Sequence, residues 1–258
     1  MVTTLSPHHA QVKLCRKLHH AKYRHQLGLF LIEGSKLLAE ARQAGITIDS
    51  VFFRDDAVDL PADRLALAVA PEVMASMATT DSPPPVLAVA RIPALPPRER
   101  SLPPILPILV GIQDAGNLGA VLRVVHAIGY DLVGVADGTV DTYNPKVVRS
   151  SMGAVFHVEV QEIKDRQLEL QQLRTRGYRI VATVSQGARV HYTQDFRQKT
   201  ALLIGGEGRG LPAEWLTEAD DTITIPMRGG AESLNVSVAS GVLLYEAVRQ
   251  QDYQGLKG

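Results

Sequence analysis

The sequence predicts an α/β protein in which a smaller α/β domain precedes a larger one built on an open, mostly parallel sheet. Strand-like and helix-like segments alternate throughout residues 107–258, as expected for parallel strands joined by crossover helices. A shorter α/β series fills residues 1–97. Residues 98–106 are predicted to be the linker, because prolines are concentrated in and around them.

The first domain is predicted to open with a basic helix over residues 11–27. Leu14, Leu18 and Leu27 should form its apolar side. The strand LFLI follows and leads into a helix that should stop at Gly45. The runs SVFF, LALAV and VLAVARI have the composition of strands, and PEVMASMATTD that of a helix or turn.

The second domain is predicted to contain six strands and four helices. The predicted strands are ILPILVGI, YDLVGVA, AVFHVEV, YRIVATV, TALLIGG and DTITIP. The predicted helices lie near residues 117–128, 145–152, 166–176 and 234–251. Ligands bind beyond the carboxyl ends of the strands in such sheets, so the loops after the strands are candidate sites.

Composition is typical of a soluble globular protein, with 45% hydrophobic and 21% charged residues. No apolar run approaches the ~20 residues that cross a bilayer, and no signal peptide is visible. The single cysteine, Cys15, excludes an intramolecular disulfide framework. We therefore expect a cytoplasmic protein.

The net charge is zero, with 27 basic and 27 acidic residues, which argues against nucleic-acid binding over the whole surface. The charges are unevenly distributed, however, since residues 1–30 contain no acidic residue. The basic residues predicted to contact a phosphate backbone there are Lys13, Arg16, Lys17, Lys22 and Arg24. A solvated helix face is the alternative interpretation.

The most informative segment is ITIPMRGGAESLNVSVASGVLLYEAVR, in which a strand passes through a loop of small residues into an amphipathic helix. Ser233, Asn235 and Ser237 stand at the turn. Gly229 and Gly230 would let the backbone approach a ligand closely. Amides, hydroxyls and free main-chain groups there predict a site for a polar ligand.

Two further loops follow predicted strands. Asn117 and Arg123 follow ILVGI, where Asn117 taken alone is a helix N-cap and Arg123 a surface arginine. The loop GEGRGLPAEW suits a neutral or cationic ligand, because Glu207 would repel a phosphate and no phosphate-binding glycine motif is present. No metal site is predicted, since His19 and His20 are adjacent and point to different sides of a helix. A Ser/His/Asp hydrolase is disfavoured, because no serine lies in a GxSxG motif.

The three loops together, NLGxxxR, GGEGxGLP and IPMxGxxxSLNVSVAxGxxLYEA in that order, resemble the SpoU/TrmH family of SPOUT-class RNA methyltransferases. The segment FLIEGSKLLAEA and the basic helix are similar to the ribosomal-protein-like RNA-binding domain that often precedes the catalytic domain. The resemblance implies a C-terminal trefoil knot, a homodimer, and methyl transfer from S-adenosylmethionine to a ribose 2′-hydroxyl of ribosomal RNA. Transfer RNA is the other candidate substrate.

The resemblance also assigns residues. Those expected around the cofactor are Gly205, Gly206, Glu207, Ile225, Met227, Ser233 and Leu234. The expected catalytic residues are Arg123, Asn117, Glu207, Ser233 and Asn235. Methyl transfer requires an oxygen aligned with the methyl group and stabilisation of the negative charge that develops on that oxygen. Arg123 is assigned this stabilisation, with the proton passing to an RNA phosphate, to water or to a transiently neutral Arg123.

Arg149 and Arg209 are further candidates for contacts with the RNA backbone, although each could equally be a surface arginine. The last helix carries consecutive apolar residues from Val242 to Tyr245, too many for one buried stripe. Part of this helix is therefore expected to face a second subunit.

Two other functions stay open at this stage. One is a catalytically silent RNA-binding protein of the same fold. The other is a nicotinamide-dependent oxidoreductase, which the missing glycine fingerprint disfavours. Neither a membrane nor a metal ion is expected as a partner.

Overall fold

The computed structural model describes residues 4–56, 66–94, 102–186, 189–208 and 210–251. The chain divides into two compact units, Met1–Ala94 with Asp141–Phe156, and Leu95–Val140 with His157–Gly258. Residues 98–101 of the predicted linker lie outside the described residues, and its last two residues already belong to a strand. No helix in the described parts of the chain is long and apolar enough to span a membrane.

The elements of the first ninety-four residues are α1 (Ala10–Lys17), α2 (Ala21–Leu27), β1 (Leu29–Glu33), α3 (Ser35–Gln43), β2 (Ile48–Arg54), β3 (Ala66–Val69), α4 (Pro71–Met77) and β4 (Val86–Arg91). The elements that follow are β5 (Ile105–Val110), α5 (Ala115–Ala127), β6 (Leu132–Ala136), α6 (Pro145–Ser150), β7 (Glu159–Ile163), α7 (Arg166–Thr175), β8 (Arg179–Thr183), β9 (Arg189–Val190), β10 (Thr200–Gly205), α8 (Ala213–Leu216), β11 (Asp221–Thr224) and α9 (Val236–Gln250).

The first unit is built on a mixed four-stranded sheet in the order β1-β4-β2-β3. Side chains from α1 and α4, such as Val12, Cys15 and Met74, form a buried core with Leu31 and Phe52 of the sheet. Burial raises the pKa of the Cys15 thiol to about 12, so this cysteine is a core residue and not a nucleophile.

The predicted basic helix is two helices. α1 ends at Lys17, and the extended backbone of His20 separates it from α2. The break brings the Arg24 guanidinium back to the carbonyl of Leu18, to which Nη1 donates at 2.6 Å. Leu27, predicted to lie on the apolar side, is exposed because α2 turns that side away from the core.

Among the described residues, the second unit contains seven strands in the order β7-β6-β5-β10-β8-β11-β9, and the pairs that they form are all parallel. This confirms the predicted open parallel sheet. The strands β5, β6 and β10 are buried on both faces, and α5 packs against α9. The order places β10 between β5 and β8, so the loops after these strands are neighbours.

The prediction of a strand over AVFHVEV is wrong in its first half. Ala154–Phe156 forms a 3₁₀ turn that belongs to the first unit, and β7 begins only at Glu159. A short apolar run is buried in either conformation, so its composition does not distinguish a turn from a strand. Two short elements, β9 and α8, were not predicted.

Candidate active site

The candidate site lies at the carboxyl edge of the second unit's sheet. Asn117 follows β5 on the first turn of α5, Glu207 follows β10, and Asn235 ends the loop that follows β11. These residues are far apart in the sequence and come together because their strands run parallel.

A hydrogen-bonded cluster joins Asn117, Glu207 and Asn235. The Asn235 amide nitrogen donates to Glu207 Oε1 and to Asn117 Oδ1, each at 3.0 Å. The Asn117 amide nitrogen also donates to Glu207 Oε1. The carboxylate therefore orients two side-chain amides at once, which is a stronger arrangement than neutral hydrogen bonds alone would give.

The cluster depends on how the two helices begin. Asp114, not Asn117, is the N-cap of α5, because Asp114 Oδ1 accepts from the Asn117 backbone N–H at 2.9 Å. The prediction that Asn117 caps the helix is wrong, and its side chain is free for the cluster. Asn235 is the N-cap of α9, where its Oδ1 accepts from Ser237 N at 2.9 Å and Ser237 Oγ at 2.6 Å.

Two glycines allow the main chain to pass closely at this edge. A Cβ on Gly206 would overlap the carbonyl group of Gly111, and one on Gly205 would overlap the peptide between Gly210 and Leu211. Both neighbours are backbone, so they cannot move aside as a side chain could. These positions therefore require glycine, and they leave bare main chain beside Glu207.

The loop over residues 225–234 is the most open part of the site. Ile225 and Met227 are half-buried, whereas Ser233 and Leu234 are exposed. No residue of this loop hydrogen-bonds to another residue in the described part of the chain. Its main-chain donors and acceptors are therefore available to a ligand.

Arg123 is not part of the cluster. It lies on α5 six residues after Asn117, so the two side chains leave the helix roughly 120° apart. Arg123 is exposed, and it makes no ion pair or hydrogen bond with the other residues that the structure describes. It is a free cation on the helix that also carries Asn117.

A fourth loop reaches the same edge and was not predicted. Ser185 follows β8, and its carbonyl accepts from Thr224 Oγ1 at 3.0 Å, while Val184 N donates to Ile223 O at 2.9 Å. β8 lies between β10 and β11 in the sheet, so its loop adjoins both predicted loops. The strand order, which the sequence does not reveal, is the signal that identifies it.

Most residues predicted to contact RNA lie on the first unit. Lys13, Lys17 and Lys22 are exposed, and Arg16 is half-buried with its guanidinium on Ser76 Oγ at 2.6 Å. Arg209 lies outside the described residues.

Arg24 and Arg149 are engaged within the protein. Arg24 is 2% exposed and pairs with Asp141 at 2.5 Å, so the prediction that Arg24 contacts a phosphate backbone is corrected. Arg149 Nη1 lies 3.0 Å from Glu33 Oε2.

The residues at the edge fit S-adenosylmethionine by their chemistry. The unpaired main chain of residues 225–234 can read the edge of a neutral purine, and the half-buried side chains of Ile225 and Met227 can cover its face. Glu207 supplies a negative charge that suits a sulfonium cation and would repel a diphosphate. Among the described residues, no group of three or more metal-ligating side chains is present.

Comparison with known proteins agrees with this geometry. Residues 104–245 match the SpoU rRNA methylase family, and residues 9–88 match the MRM3-like substrate binding domain. An uncharacterised tRNA/rRNA methyltransferase of Synechocystis sp. is 36% identical over 93% of this chain and 91% of its own length. The Bacillus subtilis 23S rRNA (guanosine(2553)-2′-O)-methyltransferase RlmP is 31% identical over 91% of this chain and 94% of its own length.

A solved structure of a similar protein supports the same family and contains the cofactor. The SpoU methyltransferase AviRb of Streptomyces viridochromogenes, in complex with S-adenosylmethionine, aligns with a TM-score of 0.83 and 29% identity over 94% of this chain and 98% of its own. The chain therefore belongs to the SpoU family of SPOUT-class RNA 2′-O-ribose methyltransferases, which use S-adenosylmethionine as the methyl donor.

Proposed function

We propose that this protein methylates one ribose 2′-hydroxyl of large-subunit ribosomal RNA in the cytoplasm. The Asn117–Glu207–Asn235 cluster carries this proposal, because it places oriented amides beside loops that suit the methyl donor. The RNA class is supported by RlmP, whose name gives 23S rRNA as its substrate. The domain match and the exposed lysines of α1 and α2 support an RNA-binding role for the first domain, residues 1–97.

In this proposal the chain's own residues position the nucleophile. When bound, S-adenosylmethionine supplies a methyl group already activated by the positive charge on sulfur. Asn117, held by Glu207, keeps one amide N–H, which in this proposal donates to the target ribose or its phosphate. Both amide N–H groups of Asn235 are used within the cluster, so Asn235 acts by orienting Asn117 and Glu207. Ser233, which is exposed near the end of the loop over residues 225–234, is proposed to join them.

Arg123 is proposed to stabilise the negative charge that develops on the ribose oxygen. A guanidinium stays protonated at any assay pH, so its charge is available throughout the reaction. Its exposure and lack of a partner among the described residues leave that charge free for RNA. The hydroxyl proton then leaves to an RNA phosphate or to water.

The RNA surface is proposed to comprise Lys13, Lys17 and Lys22, with Arg16 at its margin. The three lysines are exposed, and no acidic residue occurs in the sequence around them. Neutralisation of phosphates by such side chains makes binding weaken with salt.

A homodimer through α9 is also proposed. Val238, Val242 and Tyr245 lie three to four residues apart on one face of α9 and are 37–51% exposed, whereas Leu243 and Leu244 are buried. Such an apolar stripe on a helix indicates a protein interface. The trefoil knot is proposed on the resemblance alone.

The test is transfer of labelled methyl groups from S-adenosylmethionine to RNA of a strain that lacks this protein. We expect label in large-subunit ribosomal RNA and none in transfer RNA or in ribosomal RNA from the parent strain. Label in transfer RNA alone would contradict the proposed substrate. RNA binding without any transfer would instead identify a catalytically silent member of the family.

A further inference from the structure

One segment of the chain belongs to the first unit although the strands on either side of it belong to the second. Asp141–Phe156 lies in the sequence between β6 and β7, yet it clusters with residues 4–94. Its helix α6 packs against β1. The first unit is therefore completed by a part of the chain that the sequence alone assigned to the methyltransferase domain.

The first attachment of this segment is a buried ion pair. Arg24 Nε and Nη2 donate to Asp141 Oδ2 at 2.6 and 2.5 Å, and Arg24 Nη1 donates to the Leu18 carbonyl. The side chains of Arg24 and Asp141 are 2% and 11% exposed. A buried pair of this kind specifies one arrangement, because either charge without its partner would be strongly destabilising.

The second attachment is a network around Glu33. Its Oε1 accepts from Thr79 N at 2.9 Å and Thr79 Oγ1 at 2.7 Å, and its Oε2 accepts from Arg149 Nη1 at 3.0 Å. Arg149 Nη1 also donates to Thr79 Oγ1 at 2.6 Å. Arg149 thus joins α6 to the end of β1 and to the segment that follows α4.

Aromatic rings also pack between β1 and Asp141–Phe156. The Phe30 ring lies 4.9 Å from the Tyr143 ring and 6.3 Å from the Phe156 ring, measured between centroids. Burial, with a smaller contribution from the charge of Asp141, raises the pKa of Tyr143 to about 12. The phenol therefore stays neutral and behaves as part of the core.

The connections that leave this segment are short. Four residues, 137–140, join it to β6, and two, 157–158, join it to β7. Such connections span at most roughly 18 and 11 Å, so Asp141–Phe156 is joined by short segments of chain to two adjacent strands of the methyltransferase sheet.

We propose that Arg149 and Arg24 are positioning residues for methyl transfer. These two side chains fasten Asp141–Phe156 to the rest of the first unit and so restrict the movement of that unit during catalysis. This proposal rests on the proposed function. RNA held by a restrained unit is presented to the methyl donor at a high effective concentration, and a loosened unit would hold the same RNA less productively. The binding of each substrate alone should not depend on the attachment.

The test compares Arg149→Ala, Glu33→Gln and the double variant, with Lys36→Ala on the exposed side of α3 as the control. We expect each single variant to lower the single-turnover rate at saturating RNA and cofactor by roughly 10- to 100-fold. The double variant should be no slower than either single one, because all three lose the same interaction. Lys36→Ala should stay within about twofold of the wild type.

Three further readouts separate positioning from other roles. The Kd of S-adenosylmethionine, the Kd of RNA and the salt dependence of RNA binding should be unchanged in Arg149→Ala, and Arg149→Lys should recover part of the rate. A reduced salt slope in Arg149→Ala, with no matching defect in Glu33→Gln, would show a direct phosphate contact and overturn the proposal. Variants that lose only thermal stability and keep the wild-type rate would overturn it too.

Different outcomes would contradict the proposed function and the positioning role. If the wild-type protein transfers no methyl group to ribosomal RNA, the proposed function is wrong. If the wild type is active and the attachment variants match it, only the positioning role is wrong.

Discussion

Substitution of Gly206 by alanine tests whether the close main-chain passage at the sheet edge builds the cofactor site. The added Cβ would overlap the Gly111 carbonyl oxygen and would lie 2.8 Å from Gly111 C and 3.3 Å from Ile112 N. No rotamer can relieve this overlap, because every atom in it is main chain. β10 must therefore move away from the end of β5.

The magnitude follows from the contacts that such a shift disrupts. A displacement of about an ångström would break the 2.9 Å hydrogen bond from Gly206 N to Val110 O, which costs about 1 kcal/mol. Overpacking adds roughly 1–3 kcal/mol. The free energy of unfolding should therefore fall by about 2–4 kcal/mol, which lowers the Tm by roughly 5–15 °C for a chain of this length.

The matched control is Gly229→Ala, since a Cβ there meets no atom within 4 Å and the backbone is not left-handed. Calorimetric titration with S-adenosylmethionine should show at least roughly tenfold weaker binding for Gly206→Ala, because Glu207 and the Gly205 main chain move with it. Gly229→Ala should unfold at the wild-type Tm. If Gly206→Ala unfolded at the same Tm as Gly229→Ala and bound the cofactor as tightly as the wild type, the proposed geometry of this edge would be refuted.

Three other predictions follow from the structure. Arg123→Ala should lower the single-turnover rate at least about 100-fold while leaving cofactor affinity within twofold, and activity retained within a few-fold would remove Arg123 from the mechanism. Val242→Asp should convert the proposed dimer to a monomer in light scattering at micromolar concentration; an unchanged mass would place the interface elsewhere. The pKa values of Cys15 and Tyr143 are raised to about 12 in the folded state from 9.0 and 10.0, so these groups keep their protons longer when folded. Stability should therefore fall as pH rises from about 9 towards 12, and equal urea midpoints at pH 8 and pH 10.5 would contradict this.

The parallel sheet could be predicted because buried strands and crossover helices leave strong local patterns. The runs that became β5, β8, β10 and β11 are apolar and flanked by turn residues. The break between α1 and α2 could not be predicted, since it depends on Arg24 reaching Leu18 and Asp141 from distant parts of the sequence. The assignment of Asp141–Phe156 to the first unit is also set by long-range packing.

The site was predictable to the extent that its residues fall in loops with recognisable motifs. Asn117, Glu207 and Asn235 belong to three separate motif loops in the sequence, and the structure brings them into one cluster. Their hydrogen bonds could not be foreseen, because Asp114 and Asn117 are both able to cap α5. The loop at Ser185 could not be predicted, because its position depends on the strand order.

A crystal structure of this protein with S-adenosylmethionine or its demethylated product would test the central claim most directly. We predict the adenine against the main chain of Gly205, Ile225 and Leu234, and the sulfur centre facing Asn117 and Asn235. A ligand bound elsewhere on the protein, or one whose sulfur centre points away from these two amides, would contradict the account.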